Sequence, residues 1–250
     1  SSVSKSKAII KRFKPQIAVG VGGYASGPLL WAAEKKGLPT LLQEQNSFPG
    51  ITNKLLAPKA KKICVAFPGM EKFFAAEKLV ITGNPVRENL VVKDRDKSCA
   101  ELGLDPSRPT LLSIGGSLGA GTINRALEAG ISRFTEQGVN LIWQTGKYYY
   151  SGIQDRLGQV PDPIRISAFI EDMAQAYAAA DLVISRAGAL SISEITFLSK
   201  ASILVPSPNV AEDHQTKNAQ ALAEKNAAQL IKDSDAQDQL VSAALDLVKN

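Results

Sequence analysis

Short apolar runs of strand length alternate with segments in which apolar residues recur every three to four positions, and the alternation persists along the whole chain. That rhythm predicts parallel strands wrapped by helices, an α/β chain. Strand-length runs fall at 16–22, 39–44, 62–67, 78–83, 109–114, 140–145, 164–168, 181–185, 201–206 and 227–231. Helical spacing, with one face left to bury, falls at 27–37, 51–60, 117–134, 172–180, 191–199, 213–226 and 236–249. A basic helix opens the chain.

Residues 88–109 interrupt the rhythm. Lys93-Asp94-Arg95-Asp96-Lys97 is a cluster of charges, and Asp105-Pro106-Ser107-Arg108-Pro109 is turn chemistry. A domain boundary is expected near Arg87, giving domains 1–88 and 89–250. The first then holds about four strands, short for a doubly wound sheet, so its beginning is expected to be missing.

Charge divides along the same line. Residues 1–95 carry a net +10 and the remainder −5. Lys5, Lys7, Lys11, Arg12 and Lys14, interleaved with Ile9, Ile10 and Phe13, suit an anionic membrane surface, and a solvated helix remains equally open. No aromatic RNA-binding motif or zinc finger supports nucleic acid. No apolar run approaches the roughly 18 residues of a membrane span, and no signal peptide is evident, so a cytoplasmic location is expected. Cys64 and Cys99 lie far apart without ligand spacing, which argues against a disulfide framework or a zinc site. The single histidine, His214, narrows acid–base chemistry further.

Three loops carry the candidate chemistry of the second domain. Thr110 to Ala120 runs from a strand through Gly115-Gly116-Ser117-Leu118-Gly119 toward a helix, and such a turn lets backbone N–H groups approach a diphosphate; Ser117 as a plain N-cap is the alternative. Leu182 to Glu194 repeats the logic, with Ser191 and Glu194 spaced either for a capping box or for Glu194 to accept from ribose hydroxyls. The third, Pro206 to Asn218, is crowded with polar residues. Asp213 fits an N-cap there, Gln215 and Asn218 suit hydroxyl-rich ligands, and His214 is read as structural rather than catalytic. The Walker spacing G-x-x-x-x-G-K-[ST] is absent, which disfavours an ATPase.

In the first domain, Gly20 to Pro28 and Glu44-Gln45-Asn46 follow strands, and Gly83-Asn-Pro-Val-Arg87 places a cation where two domains would face each other. Together Val19-Gly-Val-Gly-Gly-Tyr-Ala-Ser-Gly-Pro28, Glu44-Gln-Asn46, Thr52-Asn53-Lys54, Gly83-Asn-Pro-Val-Arg87, Gly115-Gly-Ser-Leu-Gly-Ala120, Trp143-Gln-Thr-Gly146, Phe169-Ile170-Glu-Asp-Met173 and Ser185-Arg-Ala-Gly-Ala189 resemble the MurG family, the undecaprenyl-diphospho-muramoylpentapeptide β-N-acetylglucosaminyltransferases. The resemblance runs in order over essentially the whole chain.

It implies a GT-B fold of two Rossmann-like domains with parallel sheets, the first incomplete. It also implies an inverting transfer of N-acetylglucosamine from UDP-N-acetylglucosamine to lipid I, giving lipid II, on the cytoplasmic face of the inner membrane. By analogy the Ile170 main chain would hold uracil and Glu194 the ribose. Ser117 would meet the diphosphate, Ala189, Leu190, Ser191, Ile192 and Ser193 the phosphate and sugar, and Gln215 the sugar hydroxyls. Asn46 and Arg87 would contribute from the opposite domain, and Tyr24 lies on the acceptor side. Helix starts aimed at UDP would stabilise the leaving charge without a metal or other cofactor; the Asp94-Arg95-Asp96 triplet is read as a solvated stretch of charged linker.

Three departures stand out. The family's opening G-x-G-G-H-x-x-P loop, which supplies the expected general base, is not among these residues; the family's last helix is expected to be cut short at Asn250; and Ser199-Lys200-Ala201 replaces a Gly-x-Pro turn. Weak UDP binding and little turnover are therefore expected. An NAD-dependent oxidoreductase would need G-x-G-x-x-G, and Ala25 stands where its third glycine belongs, although Glu44 lies near the distance of the acidic partner. A non-catalytic UDP-sugar module and a UDP-N-acetylglucosamine 2-epimerase share the fold type.

Overall fold

A computed structural model describes residues 2–91 and 93–249; Ser1, Val92 and Asn250 lie outside it. The chain divides into two compact units, Ser1–Pro85 and Val86–Asn250.

In the first unit, α1 (Ser2–Phe13) leads to β1 (Ala18–Gly20), α2 (Gly23–Lys35), β2 (Thr40–Glu44), α3 (Ile51–Leu56), β3 (Lys62–Val65) and β4 (Leu79–Ile81). The strands form a parallel sheet in the order β1-β2-β3-β4. Buried Leu30, Ala32 and Ala33 of α2 close over Leu42 and Ile63, with Ile10 of α1 in the same cluster. The α1 helix thereby keeps one face inward and leaves Ile9 and Phe13 exposed.

The second unit runs α4 (Arg95–Glu101), β5 (Thr110–Ile114), α5 (Gly121–Ala129), α6 (Ile131–Glu136), β6 (Asn140–Gln144), α7 (Tyr150–Leu157), β7 (Ile164–Ser167), α8 (Met173–Ala179), β8 (Leu182–Ser185), α9 (Ala189–Phe197), β9 (Ala201–Leu204), α10 (His214–Ala223), β10 (Gln229–Leu230) and α11 (Ala236–Leu247). Its sheet is parallel throughout, in the order β10-β9-β8-β5-β6-β7. The order reverses between β5 and β8, the first and fourth strands of the unit. This is the doubly wound dinucleotide-type topology, in which ligands gather beyond the carboxyl ends of the strands at the reversal. β5 and β6 are buried at every position, as strands covered on both faces must be. Inside, Trp143 donates to Asn124 Oδ1 at 2.9 Å and Asn124 donates to the Thr145 carbonyl at 2.8 Å, so the buried indole N–H and the Asn124 amide are both paired.

All ten expected strands are present among the described residues, with trimmed ends. The helices differ more. The single helix expected over 117–134 is two: residues 117–120 form a turn with Gly119 N–H donating to the Gly116 carbonyl at 3.1 Å, and Gly130 leaves helical geometry between α5 and α6. Ser117 is therefore not an N-cap; Ala120 holds that place. Two short helices were not anticipated. α7 buries a single side chain, Ile153, too little for a periodic signal.

α4 overturns the reading of Asp94-Arg95-Asp96 as solvated linker. Asp94 caps the helix by accepting from the Lys97 amide at 2.7 Å. Arg95 grips both oxygens of Asp181, at 2.7 and 2.6 Å, and donates to the carbonyls of Pro106 and Arg108. Asp181 also accepts from the Thr110 amide at 2.8 Å, so the pair ties α4 to the starts of β5 and β8. Burial pushes the Asp181 carboxyl up, but the Arg95 guanidinium and the Thr110 amide outweigh it and hold the carboxyl below the usual range. A carboxyl depressed in the folded state contributes stability above its unfolded value, about pH 3.9, and that contribution disappears as pH falls through the folded value. Asp105 and Asp172 are depressed too, chiefly by hydrogen bonds from Ser107 and Lys93 respectively. Urea midpoints are thus expected to be level near neutral pH and to fall below about pH 4. Asp181→Asn should lower the plateau and flatten the acid limb, and an unchanged acid limb would refute the assignment.

Among the described residues no helix is long and apolar enough to cross a membrane.

Candidate nucleotide-sugar site

β5 and β8 are register partners up to Ile114 and Ser185, so the loops that follow them leave the sheet side by side at its reversal. The first loop is held by its neighbour. An added Cβ on Gly119 would lie 2.1 Å from the Thr145 carbonyl oxygen, and one on Gly146 would lie 2.3 Å from the Gly119 nitrogen. Both residues have φ of +84°, so glycine is required twice over. This backbone-to-backbone contact locks the loop after β5 onto the loop after β6 and leaves Ser117 exposed at the tip.

Gln144, at the end of β6, enters the sequence reading only within Trp143-Gln-Thr-Gly146, with no role of its own. It is buried, donates to the Gly116 carbonyl at 3.2 Å and accepts from the Ile170 amide at 2.9 Å. One side chain thus fixes the spacing between the glycine loop and the loop after β7. Ile170 commits its N–H to Gln144, so a base meeting its main chain would use the carbonyl.

The second loop ends at Gly188, the N-cap of α9, which has no side-chain capping bond. Ala189, Leu190, Ser191, Ile192 and Ser193 form the first turns, with Leu190 exposed, and Ser193 Oγ turns back to the Ala189 carbonyl at 2.8 Å. The helix begins earlier than expected, so Ser191 lies inside it and the capping box does not form. Glu194 faces inward instead, 6% exposed. Its Oε2 accepts from the Tyr177 hydroxyl at 3.1 Å and its Oε1 meets Arg87 Nε at 2.9 Å. Arg87 therefore lies in the second unit, not the first, because residues following Pro85 are anchored there by this ion pair and by Lys93 with Asp172 at 2.7 Å.

Arg186 braces the same loop. It is mostly buried and donates to the carbonyls of Val205 and Pro206 and to Asp233, whose other oxygen accepts from Thr122 Oγ1 at 3.0 Å in the first turn of α5. Gln215 accepts from the Ser207 amide at 2.9 Å and shapes the third loop while keeping its amide nitrogen. Asn218, read as suited to sugar hydroxyls, is fully buried and donates to the Ala187 carbonyl at 3.3 Å; it supports the second loop from beneath. Asp213 takes the N-cap place of α10 without capping it; its carboxylate accepts from Thr216 Oγ1, and His214 is the first helical residue.

In the first unit Tyr24 is 96% exposed on α2. Glu44 is buried at the end of β2 and accepts from the Asn46 amide and side chain at 3.1 and 3.4 Å, from Gly50 N–H at 3.2 Å and from Asn53 at 2.8 Å. The carboxylate shapes the loop that carries Asn46.

Two parallel-sheet units, the second with two glycine-containing loops and a buried carboxylate beyond the reversal of its strand order, have the architecture of the GT-B class. The models for the glycosyltransferase family 28 C-terminal and N-terminal domains match residues 110–250 and 1–65. A Parabacteroides distasonis protein named UDP-N-acetylglucosamine--N-acetylmuramyl-(pentapeptide) pyrophosphoryl-undecaprenol N-acetylglucosamine transferase is 56% identical over 250 residues, 99% of this chain and 68% of that protein. The crystal structure of Acinetobacter baumannii MurG superposes with a TM-score of 0.79 at 32% identity, covering 99% of this chain and 69% of that one. The structure of a UDP-GlcNAc 2-epimerase from Neisseria meningitidis, at 13% identity and a TM-score of 0.65 over 96% of this chain and 71% of that one, shares the fold alone. The chain belongs to the MurG family of glycosyltransferases, and it spans about two thirds of the length of the curated relatives it matches.

Proposed function

We propose that the chain is part of an inverting N-acetylglucosaminyltransferase that uses UDP-N-acetylglucosamine as donor and lipid I as acceptor. The observation that carries the donor half is the side-by-side exit of the Gly115–Ala120 and Arg186–Gly188 loops at the sheet reversal, with Glu194 buried in the second turn of α9. In this reading the amides of both loops, with the hydroxyl of Ser117, receive the diphosphate; Ala189 to Ser193 meet the phosphate and sugar; Ile170 meets uracil; Glu194 meets the ribose; and Gln215 meets the sugar. The muramoyl C4 hydroxyl attacks the anomeric carbon as its bond to the UDP oxygen breaks. Fixed N–H groups stabilise the charge that passes to the departing diphosphate. The acceptor's proton passes to a general base expected in the family's G-x-G-G-H-x-x-P loop, and the first unit, with Tyr24, Asn46 and its loop, serves the acceptor.

UDP is expected to bind the chain at least about ten-fold more tightly than uridine, because the helix-start amides contribute only when the phosphates are present. NADH is expected not to compete. Hydrogen exchange with UDP should slow at residues 115–120 and 186–190. Protection confined elsewhere, or equal affinity for uridine, would overturn the donor reading.

The same proposal places the first unit against anionic lipid. The exposed apolar residues Ile9 and Phe13 (78% exposed) share α1 with Lys5, Lys7, Lys11 and Arg12, and Trp31 lies beside them under the ammonium groups of Lys7 and Lys35, 6.0 and 5.5 Å from its ring. Such a face fits peripheral attachment at the cytoplasmic side of the membrane. Co-sedimentation with phosphatidylglycerol vesicles should fall about ten-fold or more in Ile9→Glu/Phe13→Glu, from lost apolar burial and added negative charge. Unchanged sedimentation would sink the assignment.

A further inference from the structure

The carboxylate of Glu194 is held asymmetrically. Oε2 points inward to the hydroxyl of Tyr177, a residue 1% exposed on α8, while Oε1 meets Arg87, whose side chain is 51% exposed. One oxygen thus has a fixed interior partner and the other a partner free to exchange with solvent or a ligand. A buried carboxylate serving only as a core contact needs no such division.

We infer that Tyr177 is a positioning residue for recognition of a nucleotide's vicinal diol: it fixes Oε2 of Glu194 so that Oε1 is presented to ribose hydroxyls at the place Arg87 occupies. The inference rests on the reading of Glu194 as the ribose residue and deepens it. Tyr177 suits the task. Burial first, and then the adjacent Glu194 carboxylate, push its phenol well above the ordinary tyrosine range, so it remains a donor at every working pH. A carboxylate accepting from one fixed donor keeps lone pairs for two more, as the 2′ and 3′ hydroxyls require. Arg87 is the exchangeable occupant: its own side chain is half exposed, and the ribose hydroxyls that replace it keep the buried carboxylate hydrogen-bonded. The position of Tyr177 is itself secured, because Asp172 caps α8 by accepting from the Gln175 amide at 2.9 Å and is paired with Lys93.

The test is calorimetric titration of the chain with UDP and 2′,3′-dideoxy-UDP, using wild type, Tyr177→Phe, Glu194→Ala and the double variant. Tyr177→Phe should weaken UDP about three- to ten-fold, the consequence of losing one hydrogen bond to a charged group, and leave dideoxy-UDP unchanged. Unaltered dideoxy-UDP binding also reports an intact fold. In the Glu194→Ala background the phenylalanine should add nothing. Equal weakening of both ligands, or of neither, while Glu194→Ala still abolishes the preference for UDP, would overturn the role of Tyr177 and leave that of Glu194 standing. A preference for UDP that survives in Glu194→Ala would sink the ribose reading and this inference with it.

Discussion

Alanine at position 119 or 146 is expected to destabilise the second unit by about 2–4 kcal/mol and to abolish measurable UDP binding. Two costs combine. Each residue has φ of +84°, where a Cβ costs about 1 kcal/mol or more. Each Cβ would also drive into backbone, 2.1 Å from the Thr145 oxygen for Gly119 and 2.4 Å from the Gly119 Cα for Gly146. Backbone cannot rotate aside as a flexible side chain does, so the two loops must part, at about 1–3 kcal/mol for overpacking. Gly116 separates the terms. It has φ of +76° but nothing within 4 Å of an added Cβ, so Gly116→Ala should cost only the conformational part. For a unit of this size the thermal midpoint of Gly119→Ala or Gly146→Ala should fall by roughly 5–15 °C, and that of Gly116→Ala by a few degrees. Equal losses at all three positions would show that loop contact does not matter.

The strands were legible because each is a compact apolar run between turn residues, and a parallel sheet buried on both faces writes itself into sequence as such runs. Helix beginnings were not, because they depend on partners distant in sequence. Ser117 looks like a cap before a helical pattern, yet the helix starts four residues later, since the loop must first cross Gly146. Ser191 and Glu194 have capping-box spacing, but the helix starts at Ala189 and turns Glu194 inward to Tyr177. Asp94-Arg95-Asp96 read as solvated because charges usually are; Arg95 finds its partner in Asp181, 86 residues onward, and no local pattern announces that. The glycine-rich loops were visible as candidates, and Gln144 and Arg186 stand inside family motifs, but their bridging roles were not legible because a bridging side chain has no periodicity.

Arg186→Ala carries the second large expectation, a loss of about 2–4 kcal/mol from the second unit, well above the 1 kcal/mol ceiling usual for an exposed ion pair. Both partners are mostly buried, the side chains of Arg186 and Asp233 being 16% and 21% exposed. Removing the guanidinium strips donors from the carbonyls of Val205 and Pro206 and leaves the Asp233 carboxylate with Thr122 as its remaining named partner. The damage should reach function as well as stability. Arg186 precedes the first turn of α9, and through Asp233 it secures the first turn of α5, so both amide-bearing loops lose a support together and UDP affinity should fall about ten-fold or more. Arg186→Lys discriminates the cause. A lysine restores the charge, but its compact ammonium does not span three acceptors as the planar fork does, so it should recover part of the stability and little of the affinity. Urea unfolding and UDP titration of the three proteins decide the matter: losses below about 0.5 kcal/mol with unchanged affinity would mean the pair is a surface contact that supports neither loop.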